Sequence, residues 1–180
     1  MMPRDEVQKR RQQASDRFHD AGIVVTDEER QHIEIADFGL GDFATTGLAV
    51  LVYVNTRRCC AKELAMGPRQ TCPEHRHPNV EGRPGKEETF RCRKGAVYLY
   101  VPGPRTPSPA CKAPRGREDT YTVWHEVKLT AGQQYTLAPN TLHWFQSGDD
   151  GCVVSEFSTS NTDEHDAFTD PEINRMAGLR

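Results

Sequence analysis

Cys72-Pro73-Glu74-His75-Arg76-His77 is the stretch of this chain with the clearest capacity for chemistry. Along an extended backbone, residues two apart face the same side, so His75 and His77 present two imidazoles to one point, as a metal ion requires of its ligands. Downstream, Glu87 and Glu88 open another β run, and parity separates them. Glu88 shares a face with Phe90 and Cys92, whereas Glu87 lies with Thr89, Arg91 and Arg93 on the solvent side. A carboxylate turned toward apolar neighbours is costly unless paired or bound to a cation; a buried salt bridge to an arginine is the plain alternative. The third imidazole is His143, in the turn and strand opening Pro139-Asn140-Thr141-Leu142-His143-Trp144-Phe145, where a core or rim histidine is the competing reading. Three His and one Glu form a mixed N/O set suited to Mn, Fe, Co, Ni or Zn rather than to Ca or Mg. His19, His32, His125 and His165 lack such company.

The elements that must position these groups are mostly strands. Leu48 to Asn55 is a continuous apolar run, Lys62 to Met66 a shorter one, and Glu88 to Val101 reads as two runs broken at Lys94-Gly95. Thr120 to Leu129 alternates, Gln134 to Leu137 and Thr141 to Gln146 flank Pro139-Asn140, and Cys152 to Phe157 follows the turn Asp149-Asp150-Gly151. Many short strands joined by Gly, Pro and Asn turns predict a β-barrel or sandwich. Ahead of them, Pro3 to Ala21 is helical with a thin apolar seam of Val7, Ala14, Phe18 and Ala21, and Thr26 with Glu29 predicts a capping box on a second, short helix. The expected organisation is one domain, with residues 1–42 a helical extension on a barrel formed by residues 43–180 and its tail. Five of the twelve prolines fall between Pro102 and Pro114 among Arg105, Lys112, Arg115 and Arg117, which predicts a long excursion between two strands rather than a linker. Its basic character suits a solvated loop or an anionic ligand.

Composition narrows the partners. Lys plus Arg number 23 against 26 Asp plus Glu, so the net charge of −3 gives no electrostatic reason for a nucleic-acid or membrane partner. The longest apolar run, Leu48 to Val54, falls far short of the roughly 20 residues that cross a bilayer. Met1 to Arg17 is charged throughout and lacks the apolar stretch of a secretory leader, so a cytoplasmic protein with six free thiols is expected.

The order His75-x-His77, Glu88 with Gly95, then Gly132, Pro139 and His143 resembles the two-part cupin signature. GKEETFRCRKGAVYLYV, QYTLAPNTLHWFQSG, VVSEFSTSN and DAFTDPEI resemble the small bacterial D-lyxose isomerases, over about Gly67 to Arg175; the ten-residue gap between His77 and Glu88 fits that group. The resemblance implies a mainly β, cupin-type small barrel (jelly-roll) with N-terminal helices. It implies a divalent metal, Mn2+ first with Co2+, Ni2+, Fe2+ or Zn2+ as alternatives, on His75, His77, Glu88 and His143. The implied activity is a metal-dependent interconversion of D-lyxose and D-xylulose, with D-mannose and D-fructose as secondary substrates, by a homodimer.

Such a reaction moves a proton between C1 and C2 and needs a base near the carbons and an electrophile on the oxygens. Glu156 is the expected base: a carboxylate in the otherwise apolar run Cys152 to Phe157 wants an inward polar partner, although alternation alone leaves its direction open. A rim glutamate holding a sugar hydroxyl is the alternative. Lys86, on the same side as Glu88, is placed to bond the polarised oxygen or assist ring opening, with a solvated lysine as the alternative. Trp144, Phe145 and Tyr98 would wall the sugar or belong to the core. Asp163, Glu164, Asp166 and Asp170 in the tail are expected to form a solvated, loop-like lid segment. Two other readings stand beside the isomerase: a cupin dioxygenase using iron and oxygen, and a non-catalytic sugar-binding cupin.

Overall fold

The computed structural model describes residues 2–159 and 163–175. Two helices, α1 (Arg4–Asp20) and α2 (Asp27–His32), come first. The strands are β1 (Glu34–Ala36), β2 (Leu48–Asn55), β3 (Cys60–Met66), β4 (Thr71–Arg76), β5 (Glu88–Val101), β6 (His125–Thr130), β7 (Gln134–Leu137), β8 (His143–Ser158) and β9 (Ala167–Phe168). All pair antiparallel in a single sheet.

Its spine is a long ribbon of β5 and β8, paired from Glu88 opposite Ser158 to Tyr100 opposite Trp144. At one end of the ribbon, the second half of β8 pairs with β3, which continues to β2 and β1, while β5 carries β7 on its other edge. At the other end, β8 pairs with β4 and then β9, and β5 carries β6. Between these ends the ribbon bends, with register shifts at Cys92/Lys94 and Gly95/Val97. Gly95 has φ +73°, and a Cβ there would lie 2.2 Å from the Gly151 carbonyl oxygen, so only glycine lets the strands turn together. Lys94-Gly95 and Asp149-Asp150-Gly151, expected as breaks between strands, are therefore bends within continuous ones.

Bending brings the two arms face to face, and their inner side chains make one core. Val50 and Leu64 come from one arm, Cys72 and Leu129 from the other, and Phe90, Leu99, Phe145 and Val154 from the ribbon. This is the cupin-type small barrel expected from the sequence, curled from an open sheet rather than closed, with Phe38, Phe168 and Ile173 packed against the core. The outer face of each arm is covered. Ala14 and Phe18 of α1 lie with Ile33 and Ile35 on Ala49, Leu51, Ala65 and Val153; burial of a side chain such as Phe18 stabilises by about 1.5–3 kcal/mol. The capping box of Thr26 and Glu29 forms as expected.

On the opposite arm, the proline-rich excursion lies over Tyr100 and Trp144. Cys111 N donates to Tyr100 Oη (3.0 Å), and Trp144 Nε1 to the Val123 carbonyl (2.8 Å). Thr120 to Trp124, expected within a strand, is a 3-10 turn followed by irregular chain. The amides of Thr122 and Val123 donate to the Glu74 carboxylate (2.6 and 2.9 Å) and so are unavailable to a ladder.

Candidate metal centre

A β-bulge in β4 orients the first two candidate ligands, His75 and His77. Cys72 lies opposite Phe145 and His75 opposite His143, three steps on β4 against two on β8. The extra residue falls at Pro73-Glu74, and Pro73 has no amide to lose from the ladder. Cys72 and His75 consequently both face the core, and His77 follows two residues later on the same side. Glu74 points away; its buried carboxylate accepts from Thr122, Val123 and the hydroxyl of Thr169 (2.8 Å). His143 opens β8 after a turn in which Asn140 holds φ +61°, and Glu88 opens β5 on the inner face, as its alternation with Phe90 and Cys92 predicts.

The three imidazoles converge. Ring centroids are 4.3 Å apart for His75 and His143, 5.0 Å for His75 and His77, and 5.5 Å for His77 and His143. One nitrogen from each lies within 4.8 Å of the others. Glu88 Oε1 is 3.1 Å from His77 Nε2 and 3.0 Å from His143 Nε2. Each ring has an acceptor on its far side: the Pro73 carbonyl 2.8 Å from His75 Nδ1, the Thr141 carbonyl 2.9 Å from His143 Nδ1, and Asp166 Oδ1 2.5 Å from His77 Nδ1. Those acceptors call for the proton on Nδ1, which leaves the Nε2 lone pairs for the centre.

Electrostatics agrees with a cation-seeking cluster. His143 Nε2 is buried 3.0 Å from Glu88 Oε1 without a hydrogen bond of good geometry. Burial, with His143 and His77 beside it, holds the His75 pKa well below the usual imidazole value. Burial would also lower His77, but Glu88 and Asp166 outweigh it and push His77 up to about 9. For Glu88, burial favours the neutral form; Lys86 and His77 outweigh it and hold the group as a carboxylate. A proton on His77 and a divalent cation on the lone pairs are two ways of neutralising one centre. The donor set fits the cation, with three imidazole nitrogens and one carboxylate.

Beside this cluster lies a second, built of charges. Glu156 shares the inner face of β8 with Cys152 and Val154, which resolves the direction that alternation left open. Lys86 Nζ lies 3.0 Å from Glu88 Oε2, 3.1 Å from Glu156 Oε1 and 3.1 Å from Asp163 Oδ1. Burial opposes its charge, yet Glu156, Glu88 and Asp163 together raise its pKa well above that of a free lysine. Lys62 Nζ reaches Asp163 Oδ2 (2.7 Å) and Glu156 Oε1 (3.6 Å). A cavity of about 40 Å³, lined by His75, His77, Lys86, Glu88, Phe145 and Glu156 among others, lies between the clusters.

Sequence reasoning missed three members of this site. Lys62 shares alternate positions of β3 with Leu64 and Met66, a parity signal that was available. Asp163 and Asp166 correct the expectation of a solvated tail. The Asp166 side chain is 5% exposed and bound to His77, and Asp163 is bound to both lysines, because buried cationic groups need counter-charges. Asp170 is buried against Arg117, which also meets Glu172 (2.8 Å); Glu164 alone of the four is exposed. Of the aromatic residues considered for a sugar wall, Phe145 lines the cavity. Trp144 instead stacks on Tyr100 on the outer face (4.0 Å, 12°), and Tyr98 packs beside them.

The sequence model of the D-lyxose isomerase family matches residues 107–180. The chain is 57% identical over 176 residues to a D-lyxose/D-mannose isomerase of Thermosediminibacter oceani, covering 98% of this chain and 97% of the relative. It is 53% identical over 171 residues to a D-lyxose ketol-isomerase of Cohnella laeviribosi, covering 95% and 94%. Among solved structures, Cellulomonas parahominis L-ribose isomerase with L-ribose superimposes with a TM-score of 0.79 at 19% identity, over 98% of this chain and 96% of that one. L-ribose isomerase of Acinetobacter sp. DL28 with L-ribose gives 0.78 at 18%, over 96% and 94%. The fold is thus shared with sugar isomerases, and by its sequence the chain belongs to the D-lyxose isomerase family.

Proposed function

We propose that the chain is a metal-dependent aldose-ketose isomerase interconverting D-lyxose and D-xylulose, with D-mannose and D-fructose as substrates longer by one distal carbon. The observation that carries this reading is the meeting, in one buried space, of the His75, His77, Glu88 and His143 cluster with the Lys86 and Glu156 pair. When bound by those four side chains, a divalent cation, Mn2+ foremost and Co2+, Ni2+, Fe2+ or Zn2+ as alternatives, supplies Lewis-acid polarisation of the sugar oxygens.

In the aldose-to-ketose direction, Glu156 takes the proton from C2. The C–H electron pair becomes the C1–C2 double bond and the carbonyl pair moves onto O1. The C1–C2 double-bond pair then takes the proton back from Glu156 at C1 while an O2 electron pair forms the new carbonyl, and the proton given up by O2 passes to O1, which completes the ketose. Glu156 suits the task because it is 5% exposed, faces inward and is not one of the four proposed ligands. Lys86, held charged, donates toward the oxygen on which negative charge grows. Surrounding side chains exclude water that would quench the carbanionic species.

The test is incubation of the purified protein with D-lyxose and with D-mannose, with and without Mn2+, followed by a ketose-specific assay. Metal-dependent ketose formation is expected; oxygen consumption without ketose would point to the dioxygenase, and sugar binding without turnover to a non-catalytic cupin. A cytoplasmic setting goes with this reading and accords with six unpaired cysteines. So does a homodimer, for which exposed Val52, Tyr53, Val54 and Phe157 supply apolar surface, with Val54 and Phe157 both opposite Ala61. Light scattering of the purified protein checks the latter.

A further inference from the structure

We propose that Asp166 is a positioning residue that ties the segment 163–173 to the metal ligands, so that metal binding and docking of this segment form one linked equilibrium. The inference rests on the reading that His75, His77, Glu88 and His143 hold a divalent cation.

Three separate contacts carry it. Asp166 Oδ1 receives the Nδ1 proton of His77 at 2.5 Å, with the carboxylate 5% exposed. Strand β9 pairs with β4 so that Phe168 lies opposite His75, and its ring stacks on that imidazole (5.3 Å between centroids, 28°). Asp163 binds Lys86, the lysine that also meets Glu88. One short segment therefore touches two proposed ligands directly and a third through Lys86. Its other anchors are Asp163 on Lys62 (2.7 Å), Asp170 on Arg117, Phe168 and Ile173 against the core, and Thr169, which donates its amide to the Glu74 carbonyl (3.1 Å) and its hydroxyl to the Glu74 carboxylate.

A carboxylate accepting from Nδ1 fixes the plane of the ring and makes Nε2 a stronger donor to a cation. A cation on Nε2 in turn polarises the ring and strengthens the bond from Nδ1 to Asp166. Linkage then requires reciprocity: whatever factor docking adds to metal affinity, the metal adds to docking.

The experiment uses the full-length protein and Mn2+ as the probe. Mn2+ affinity is measured by chelator competition for wild type, Asp166→Ala and Asp166→Glu. Amide hydrogen exchange at Thr169 is followed in wild type with and without Mn2+. Loss of the acceptor is expected to weaken Mn2+ binding by about 10–100-fold, with Asp166→Glu recovering part of it. In wild type, Mn2+ is expected to slow exchange at Thr169, a comparison that needs no variant to fold. Wild-type affinity in Asp166→Ala, or a Thr169 exchange rate unmoved by Mn2+, overturns the inference while the four-ligand reading stands. A wild-type protein that binds no Mn2+ overturns both.

Discussion

Replacing Glu156 by glutamine separates the proposed base from the metal centre with the least damage to either. Glutamine keeps the length of the side chain and an oxygen for Lys86, whose ammonium retains Glu88 at 3.0 Å and Asp163 at 3.1 Å, while Lys62 retains Asp163 at 2.7 Å. The cost in stability is then the difference between a charged and a neutral hydrogen bond, about 1–2 kcal/mol, well within what a folded domain tolerates. The four proposed ligands are untouched, so metal content is expected to equal that of wild type. A missing general base costs about 10²–10⁴ in rate, equivalent to about 3–5 kcal/mol of transition-state stabilisation. The assay is the initial rate of D-xylulose formation from D-lyxose at saturating Mn2+, alongside metal analysis and a thermal melt. A variant within about tenfold of the wild-type rate refutes Glu156 as the base. Loss of metal together with rate refutes it differently, by placing Glu156 in the metal centre.

Other substitutions probe the remaining parts. His75→Ala or His143→Ala is expected to remove bound metal and isomerisation together, read by metal analysis and ketose assay on the same preparation; retention of both would show that the imidazoles only pack. Lys86→Met should lower kcat more than substrate affinity and leave Glu88 without its ammonium partner, which kinetics with a parallel metal titration will distinguish from misfolding. Gly95→Ala places a Cβ 2.2 Å from the Gly151 oxygen on a backbone with φ +73°, and should cost more than the roughly 1–2 kcal/mol of left-handed strain alone; a melting temperature unchanged from wild type would contradict the ribbon geometry. For metal-free protein, the raised His77 pKa contributes stability that is complete below its ordinary value of 6.5 and is lost as pH rises toward about 9. Protons compete for the same lone pairs, so Mn2+ affinity should rise across that window; a flat affinity would count against His77 as a ligand.

Much of the site is legible in short-range pattern. The alternation Glu88, Phe90, Cys92 predicts an inward carboxylate, and His75-x-His77 predicts two imidazoles on one side, because both signals depend only on strand parity. Parity across Cys72 to His75 fails, since a bulge at Pro73-Glu74 changes the count, and the partner strand alone reveals it. Lys94-Gly95 has the composition of a turn, yet Gly151 across the ribbon makes it a bend. Asp163 and Asp166 sit in a polar tail whose composition reads as solvated. What buries them is long-range: Lys62, Lys86 and His77 come from three other places in the chain, and the tail adds Asp163 to the carboxylates around both lysines and Asp166 to the imidazole. Trp144 reads as a neighbour of His143, but adjacent residues of a strand face opposite ways, and its ring belongs to the outer cluster with Tyr100.

Stripping the protein with a chelator, verifying by mass spectrometry that the metal is gone, and then following D-lyxose conversion before and after return of Mn2+ tests the four-ligand centre most directly. The account predicts no ketose from the stripped protein and recovery of turnover as Mn2+ approaches one ion per chain. Undiminished turnover by metal-free protein would contradict it.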